Sequence, residues 1–229
     1  MNSSVDTSKA ALLEQLLQER YSCRAFLPEP VERPTIERML IAAQRTASWC
    51  NAQPWQIAVL GGSRIDRVRA ELLQYAATHP ADPDFPWPAQ YQGPYQERRR
   101  ECGLQLYEAV GVSRGDREAG ERQRQENFRF FGAPHVALVT TDRKLGVYGA
   151  IDCAAWVSNF MLAARSLGID AIAQAALAAY PSFWRQTLGL GSDRLIVCGV
   201  SFGRADVGHP ANSFRTSRAN AVQDARWCD

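Results

Sequence analysis

Apolar residues recur along this chain at two periods, and the changes between them mark out the elements. Leu12, Leu13, Leu16 and Leu17 share one face of a helix that Ser8 can cap and that loses its pattern at Arg20. Pro34 suits a first helical position, and Ile36, Met39, Leu40 and Ala43 give a second stripe. A loop from Thr46 to Pro54 leads into a short strand, Trp55 to Leu60, stopped by Gly61-Gly62. Ser63 is placed to cap a third helix carrying Ile65, Val68, Leu72 and Leu73. Gln96 to Phe131 reads as helical, with a break at Gly111 to Gly115, and His135 to Thr140 as a strand. Tyr148 to Leu167 is apolar on most faces and is expected to be a central, buried helix. Ile169 to Ala173 reads as a strand, Pro181 opens a short helix with Phe183 and Trp184, and Leu195 to Phe202 is a fully buried strand. From Arg204 to Asp229 the periodicity fades into an extended tail. Helices and strands are intermixed without strict alternation, so the pattern predicts an α+β fold in one domain, residues 1–229.

One stretch breaks the pattern. His79 to Pro94 holds Pro80, Pro83, Pro86, Pro88 and Pro94 among Phe85, Trp87, Tyr91 and Tyr95, and can be neither a helix nor a central strand. A long aromatic loop of this kind is more often a lid or binding loop than a connector. With the helices after it, it forms an inserted segment over about 78–131. Between Glu97 and Arg129 stand eight arginines and seven acids, the mix of an exposed face laced with ion pairs; Arg98-Arg99-Arg100 is then expected to be solvated.

Composition removes several classes of function. Hydrophobic residues make up 46% and charged residues 22% of the 229, which excludes wholesale disorder. The most apolar runs, Leu195 to Phe202 and Ala150 to Ala164, are short or interrupted by Asp152, Ser158 and Asn159, and the expectation is no membrane span. The N-terminal residues are polar and do not resemble a secretory signal. A net charge of +2 from 26 basic and 24 acidic residues does not suit a nucleic-acid partner. Cys23, Cys50, Cys102, Cys153, Cys198 and Cys228 are scattered without a C-x-x-C pair, as packed free thiols in a reducing, cytoplasmic compartment would be. None of His79, His135 and His209 sits near a Cys or another His at ligand spacing, so no metal site is expected.

Four groups of residues could carry chemistry. Gly199-Val200-Ser201-Phe202-Gly203 matches the G-x-S-x-G elbow of serine hydrolases and follows a good strand. That chemistry needs a helix after the serine, whereas Gly208 and Pro210 stand there, and Asp206 and His209 follow too closely to fold back. The motif therefore reads as a strand end. No glycine-rich phosphate loop exists, so side chains must supply the charge for any phosphate. Arg20, Ser22 and Arg24 alternate along an extended stretch, and Arg215, Thr216, Ser217 and Arg218 form a second basic and hydroxyl group in the tail. Taken alone, each is the kind of cluster that most often serves as surface charge. Ser48-Trp49-Cys50-Asn51-Ala52-Gln53-Pro54-Trp55 sets amides and a hydroxyl beside two tryptophans, suited to a flat heteroaromatic ring or to a capped turn with core tryptophans.

As an ordered set these residues resemble the flavin-dependent nitroreductase family. The resemblance rests on Glu19-Arg20-Tyr21-Ser22-Cys23-Arg24-Ala25-Phe26, on Asn51-Ala52-Gln53-Pro54-Trp55, and on Asn159-Phe160-Met161-Leu162-Ala163-Ala164-Arg165-Ser166-Leu167-Gly168-Ile169. It covers about Leu12 to Arg218 and is least familiar from Ala77 to Arg129. It implies an α+β sandwich with a central mixed or antiparallel sheet flanked by helices, a homodimer, FMN at the dimer interface, and NADH or NADPH as co-substrate. Arg20, Tyr21, Ser22 and Arg24 would hold the phosphate, ribityl chain and ring edge. Ser48, Trp49, Cys50 and Asn51 would line the ring from the other subunit. Gln174-Ala175-Ala176 would offer a backbone N–H to flavin N5, Arg215 and Arg218 would close on the phosphate, and Asn127 would reach the pyrimidine edge. Phe85, Trp87, Tyr91 and Tyr95 would face a small aromatic substrate.

The chain departs from the family pattern at Trp49 and Cys50, where small residues are usual, and at Ala175-Ala176, where Glu-Gly is common. A backbone donor survives the second change and a side-chain role does not. No residue is assigned as an acid or base, and Asp152 is read as a structural carboxylate. The function expected is hydride transfer from NAD(P)H through FMN to nitroaromatic or related electron-poor acceptors. Reductive dehalogenation, flavin reduction and non-catalytic FMN binding stand as alternatives.

Overall fold

The computed structural model describes residues 7–228. Helix α1 (Thr7–Glu19) is followed by α2 (Arg33–Ala43), strand β1 (Gln56–Leu60) and α3 (Gly62–Thr78). The insertion supplies α4 (Pro94–Ala109) and α5 (Arg117–Gln125). Then come β2 (His135–Asp142), α6 (Gly146–Ser166), β3 (Asp170–Gln174), α7 (Pro181–Leu188), β4 (Arg194–Gly203) and the short α8 (Ala221–Asp224). The four strands form one sheet in the order β1-β2-β4-β3 with every pairing antiparallel. A single parallel bridge, Ser22 to Ala171, extends its outer edge.

Alternation along the central strands explains the layering. Val136 and Leu138 of β2 face a core completed by Val68 and Leu72 of α3 and Phe183 and Trp184 of α7. Their neighbours Ala137 and Val139 face the opposite core, with Met39 of α2 and Trp156 and Phe160 of α6. Successive side chains of a strand point to opposite faces, so the stretch of β2 buried on both sides, Val136 to Val139, is a continuous apolar run. The α+β fold expected from the pattern, with the sandwich that the resemblance implies, is the fold observed.

Three local expectations change. Among the described residues the first helix runs from Thr7, so Ser8 lies inside it. Helix α3 starts from Gly61, with Ser63 one position inside. The ring of His135 lies where a Cβ on residue 61 would be, and Gly62 adopts φ +57, so a glycine pair suits this start better than a serine cap. Helix α6 is buried on one face only: Val147, Tyr148 and Ile151 are about half exposed or more. By length and composition Arg143–Ser166 could cross a membrane, polar interruptions included. Here its inner face, with Cys153, Trp156, Val157 and Phe160, is core.

The Ser201 motif is a packing device. Ser201 is fully buried in β4 and donates its hydroxyl to the Gln174 side chain. A Cβ at Gly199 would collide with Leu177 and one at Gly203 with Pro134, so both glycines admit a neighbour to the sheet. The thiols are less uniformly packed than expected: Cys23 and Cys153 are buried and pushed up to about 12 by burial, while Cys50 and Cys228 are exposed.

His135 makes the fold acid-sensitive. Its Nε2 accepts the Val31 N–H at 2.9 Å, its ring stacks on Phe202, and burial pushes its pKa below the ordinary value. A depressed folded-state pKa favours the neutral ring, so its stabilisation is present above the unfolded value of about 6.5 and is lost as pH falls through the folded value. The melting temperature of wild type should fall between about pH 7.5 and about pH 5, and His135→Gln should show a smaller drop across the same window. Equal slopes for the two proteins would exclude this origin.

Candidate functional site

The two arginine clusters, from opposite ends of the chain, meet at one cleft. The tail reaches it because Leu27 donates to Arg204 O at 2.8 Å, Asp206 donates to Ala25 O at 3.0 Å, and Phe26 bridges Ala205. Asn212 then locks the junction, accepting the Arg24 N–H at 2.8 Å and donating to Ala25 O at 2.9 Å. The resulting cleft of about 260 Å³ is bordered by Arg20, Tyr21, Ser22, Arg24, Arg215 and Arg218, with Leu17, Cys102, Phe214 and Thr216 beside them.

Its electrostatics ask for an anion. Burial pushes the pKa of Arg20 down, and the neighbouring Arg218 cation adds to the effect; burial does the same to Arg24. Among the described residues none of Arg20, Arg24, Arg215 and Arg218 forms an ion pair with a carboxylate. Their local partners are neutral. Arg215 lies 3.6 Å from the centre of the Tyr21 ring, Arg24 lies 5.7 Å from that of Phe214, and Arg218 donates to Thr216 Oγ1 at 2.8 Å. Partly buried guanidiniums held by rings and carbonyls repel one another until a multivalent anion sits between them, and forked donors suit phosphate oxygens.

The loop before β1 lies elsewhere on the chain. Cys50, Asn51 and Gln53 all have positive φ, at 50, 54 and 46°, which is uncommon for residues with side chains and costs free energy. The strain is held by a closed set of bonds. Gln53 N donates to Ser48 Oγ at 2.9 Å, Gln53 Nε2 to Asn51 Oδ1 at 3.0 Å, and Gln44 Nε2 to Gln53 Oε1 at 2.8 Å. Asp152 of α6 accepts the Trp49 N–H with both oxygens, at 3.2 and 3.3 Å. Trp55 is core, whereas Trp49 is exposed and leans on Tyr148, ring centres 4.5 Å apart. Ser48, Trp49, Cys50 and Asn51 do not border the arginine cleft of their own chain.

Gln174 and Asn127 meet each other: Gln174 Nε2 donates to Asn127 O at 2.9 Å, and Asn127 Nδ2 donates to Arg124 O at 3.1 Å. Their side chains reach a ligand only by giving up these bonds. Ala175 and Ala176 open a one-turn helix after β3, with Ala175 exposed.

The aromatic loop divides in two. Its first part is pinned, since Asp84 binds Arg185 at 2.6 Å and accepts the Ile196 N–H at 2.8 Å, and Asp82 N donates to Ala179 O. Phe85 follows this anchor and Trp87 is exposed; neither borders the arginine cleft. Tyr91 and Tyr95 border a larger groove, and Cys102, Thr216 and Arg218 line both hollows.

The pattern of the nitroreductase family matches residues 17–204 of this chain. The chain belongs to the nitroreductase family. It is 33% identical over 225 residues to nitroreductase NfnB of Mycolicibacterium smegmatis, a match covering 98% of this chain and 95% of that one. It is 34% identical over 209 residues to a 4-nitrobenzoate reductase of Pseudomonas putida, covering 91% and 92%. The crystal structure of the FMN-dependent nitroreductase NfnB from Mycobacterium smegmatis in complex with NADPH matches with a TM-score of 0.91 at 33% identity, covering 98% of this chain and 100% of that one.

Within this nitroreductase, several residues of the cleft and of the structure behind it escape a reading of the sequence. Asn212 is 5% exposed and joins two segments far apart in the chain, which no local pattern announces. Phe130 and Phe131 both have positive φ, and Phe131 O accepts the Phe26 N–H; bulky aromatics give no warning of left-handed backbone. Cys102 of α4 borders the cleft from the insertion, where the family resemblance was least.

Proposed function

We propose that this nitroreductase binds FMN in the arginine cleft and transfers hydride from NADH or NADPH to a nitroaromatic or related electron-poor acceptor. The observation that carries the reading is the convergence of Arg20, Arg24, Arg215 and Arg218 on one hollow without a carboxylate partner. These guanidiniums and the Ser22 hydroxyl suit the phosphate and ribityl end of FMN. Bound FMN supplies the redox chemistry, taking hydride from the nicotinamide and passing it on, while the protein binds, orients and excludes water. The backbone N–H groups from Gln174 to Ala176 are the donors for the ring nitrogen side, and acceptor choice falls to the loop from Phe85 to Tyr95. Donor and acceptor use the same opening in turn.

The remaining wall comes from a second copy. Ser48, Trp49, Cys50 and Asn51 stand beside the exposed apolar side of α6, where Val147 is 62% and Ile151 54% exposed, and α1 exposes Leu12, Leu13 and Leu17. Apolar surface on two helices, next to a loop held under strain, fits a homodimer in which each loop completes the partner's site. The tail adds little to this argument. Phe202 is core and Phe214 lies under Arg24 of the same chain; of the three aromatics only Trp227 stays exposed.

The purified protein should be yellow, and NADPH added without oxygen should bleach it rapidly, with colour restored by a nitroaromatic. A flavin that binds and stays oxidised with both nicotinamides would make this a binding protein. A colourless preparation that takes up no added FMN would overturn the reading altogether.

A further inference from the structure

The groove beside the arginine cleft has a composition of its own. It measures about 1070 Å³ and runs between the loop end, α4 and the tail. Tyr95 offers a ring that is 68% exposed. One helical turn on, Arg99 rests 5.2 Å from the centre of the Tyr91 ring, and Arg98 lies 3.9 Å from the Asp224 carboxylate of α8. The acids in reach are Asp224 and Glu101, the latter an acceptor for Ser217 Oγ at 3.5 Å. Arg98 and Arg99 are exposed, as the sequence suggested, and both border a hollow that shares Cys102, Thr216 and Arg218 with the FMN cleft.

We propose that this groove binds the 2′-phosphorylated adenosine half of NADPH, with Arg98 and Arg99 on the 2′-phosphate and Tyr95 under the adenine. The inference rests on the FMN reading above, because a dinucleotide whose nicotinamide reaches the flavin must lay its other half along the surface next to the cleft. Three features suit that half. The volume is at the upper end for a small-molecule site. An exposed tyrosine is a stacking platform for any purine. Two guanidiniums one turn into a helix supply forked donors for a phosphate dianion. Arg99 is preorganised by its stacking on Tyr91, so less side-chain freedom is lost on binding. Arg98 has only an exposed acid to exchange for the phosphate, with side chains 55% and 65% exposed, so the exchange breaks a weak pair. NADH lacks the phosphate and gains nothing from either arginine.

The test uses the flavin-loaded protein and titrates adenosine 2′,5′-bisphosphate by calorimetry, with 5′-AMP as the comparison. The bisphosphate should bind at least about tenfold more tightly than 5′-AMP, the difference a charge-assisted contact makes. Arg98→Gln with Arg99→Gln should remove that difference and raise the Kd for NADPH about tenfold or more, with the Kd for NADH changed far less. Arg33→Gln, on an exposed ion pair of α2, is the control and should match wild type. Equal affinity of wild type for the two adenosine nucleotides overturns the proposal, and so does a double variant that weakens NADH and NADPH alike. Selective bisphosphate binding by a protein whose flavin no nicotinamide reduces supports the groove and sinks the oxidoreductase reading, so the two fail separately.

Discussion

Replacing Arg20 and Arg218 together by alanine strips FMN from the protein. Each guanidinium is placed to make charge-assisted hydrogen bonds to a phosphate, worth about 1.5–3 kcal/mol apiece, or about ten- to a hundredfold in affinity. The two losses will not simply add. Arg218 already depresses the pKa of Arg20, so removing either cation relieves the other of some repulsion, and the double variant loses less than the product of the singles. The same repulsion gives a second readout. Without FMN the double variant should melt no lower than wild type, because the cluster it dismantles has no anion to hold; with FMN only wild type should gain stability, by mass action. Arg100→Ala, outside the cleft, serves as the comparison and should keep its flavin. A double variant whose FMN Kd stays within about threefold of wild type would remove the cleft as the phosphate site.

Ile151→Asp should turn a flavin-loaded dimer into a flavin-poor monomer. Ile151 lies on the outward side of α6, near Tyr148 and Asp152, which hold Trp49. A carboxylate there is harmless in a free subunit and costs several kcal/mol when a partner covers it without a counter-charge. Sedimentation should show the lower mass, far-ultraviolet circular dichroism should be unchanged, and FMN should leave because its second wall has gone. Two results would defeat the idea: a wild type that sediments as a loaded monomer, or a variant that keeps both its mass and its flavin.

What could be read in advance follows from how local each signal is. The two-sided burial of β2 is written in an unbroken apolar run, and α2 in its proline start and stripe; both needed nothing from elsewhere in the chain. Helix α6 misled in an informative way. Its outer residues are apolar like its inner ones, and a single sequence does not distinguish an apolar face left at the surface from one that enters the core. The arginine clusters were visible as clusters, yet only a family resemblance joined them, since the join depends on Asn212 and on pairing between the tail and the stretch after α1. The aromatic loop was recognised by its prolines, but its division at Asp84 depends on Arg185 and Ile196, more than a hundred residues on. Groups of side chains that share an element could be foreseen; those assembled from several could not.

A site built from Arg20 and Arg218 has a bearing on how the protein is made. Arg20 leaves the ribosome early, while Arg215 and Arg218 are added after the whole sheet has been synthesised. A growing chain can form its core before it can grip a phosphate. If FMN sits in this cleft as proposed, a chain cut before Arg215 should take up little of it, because half of the cluster is missing.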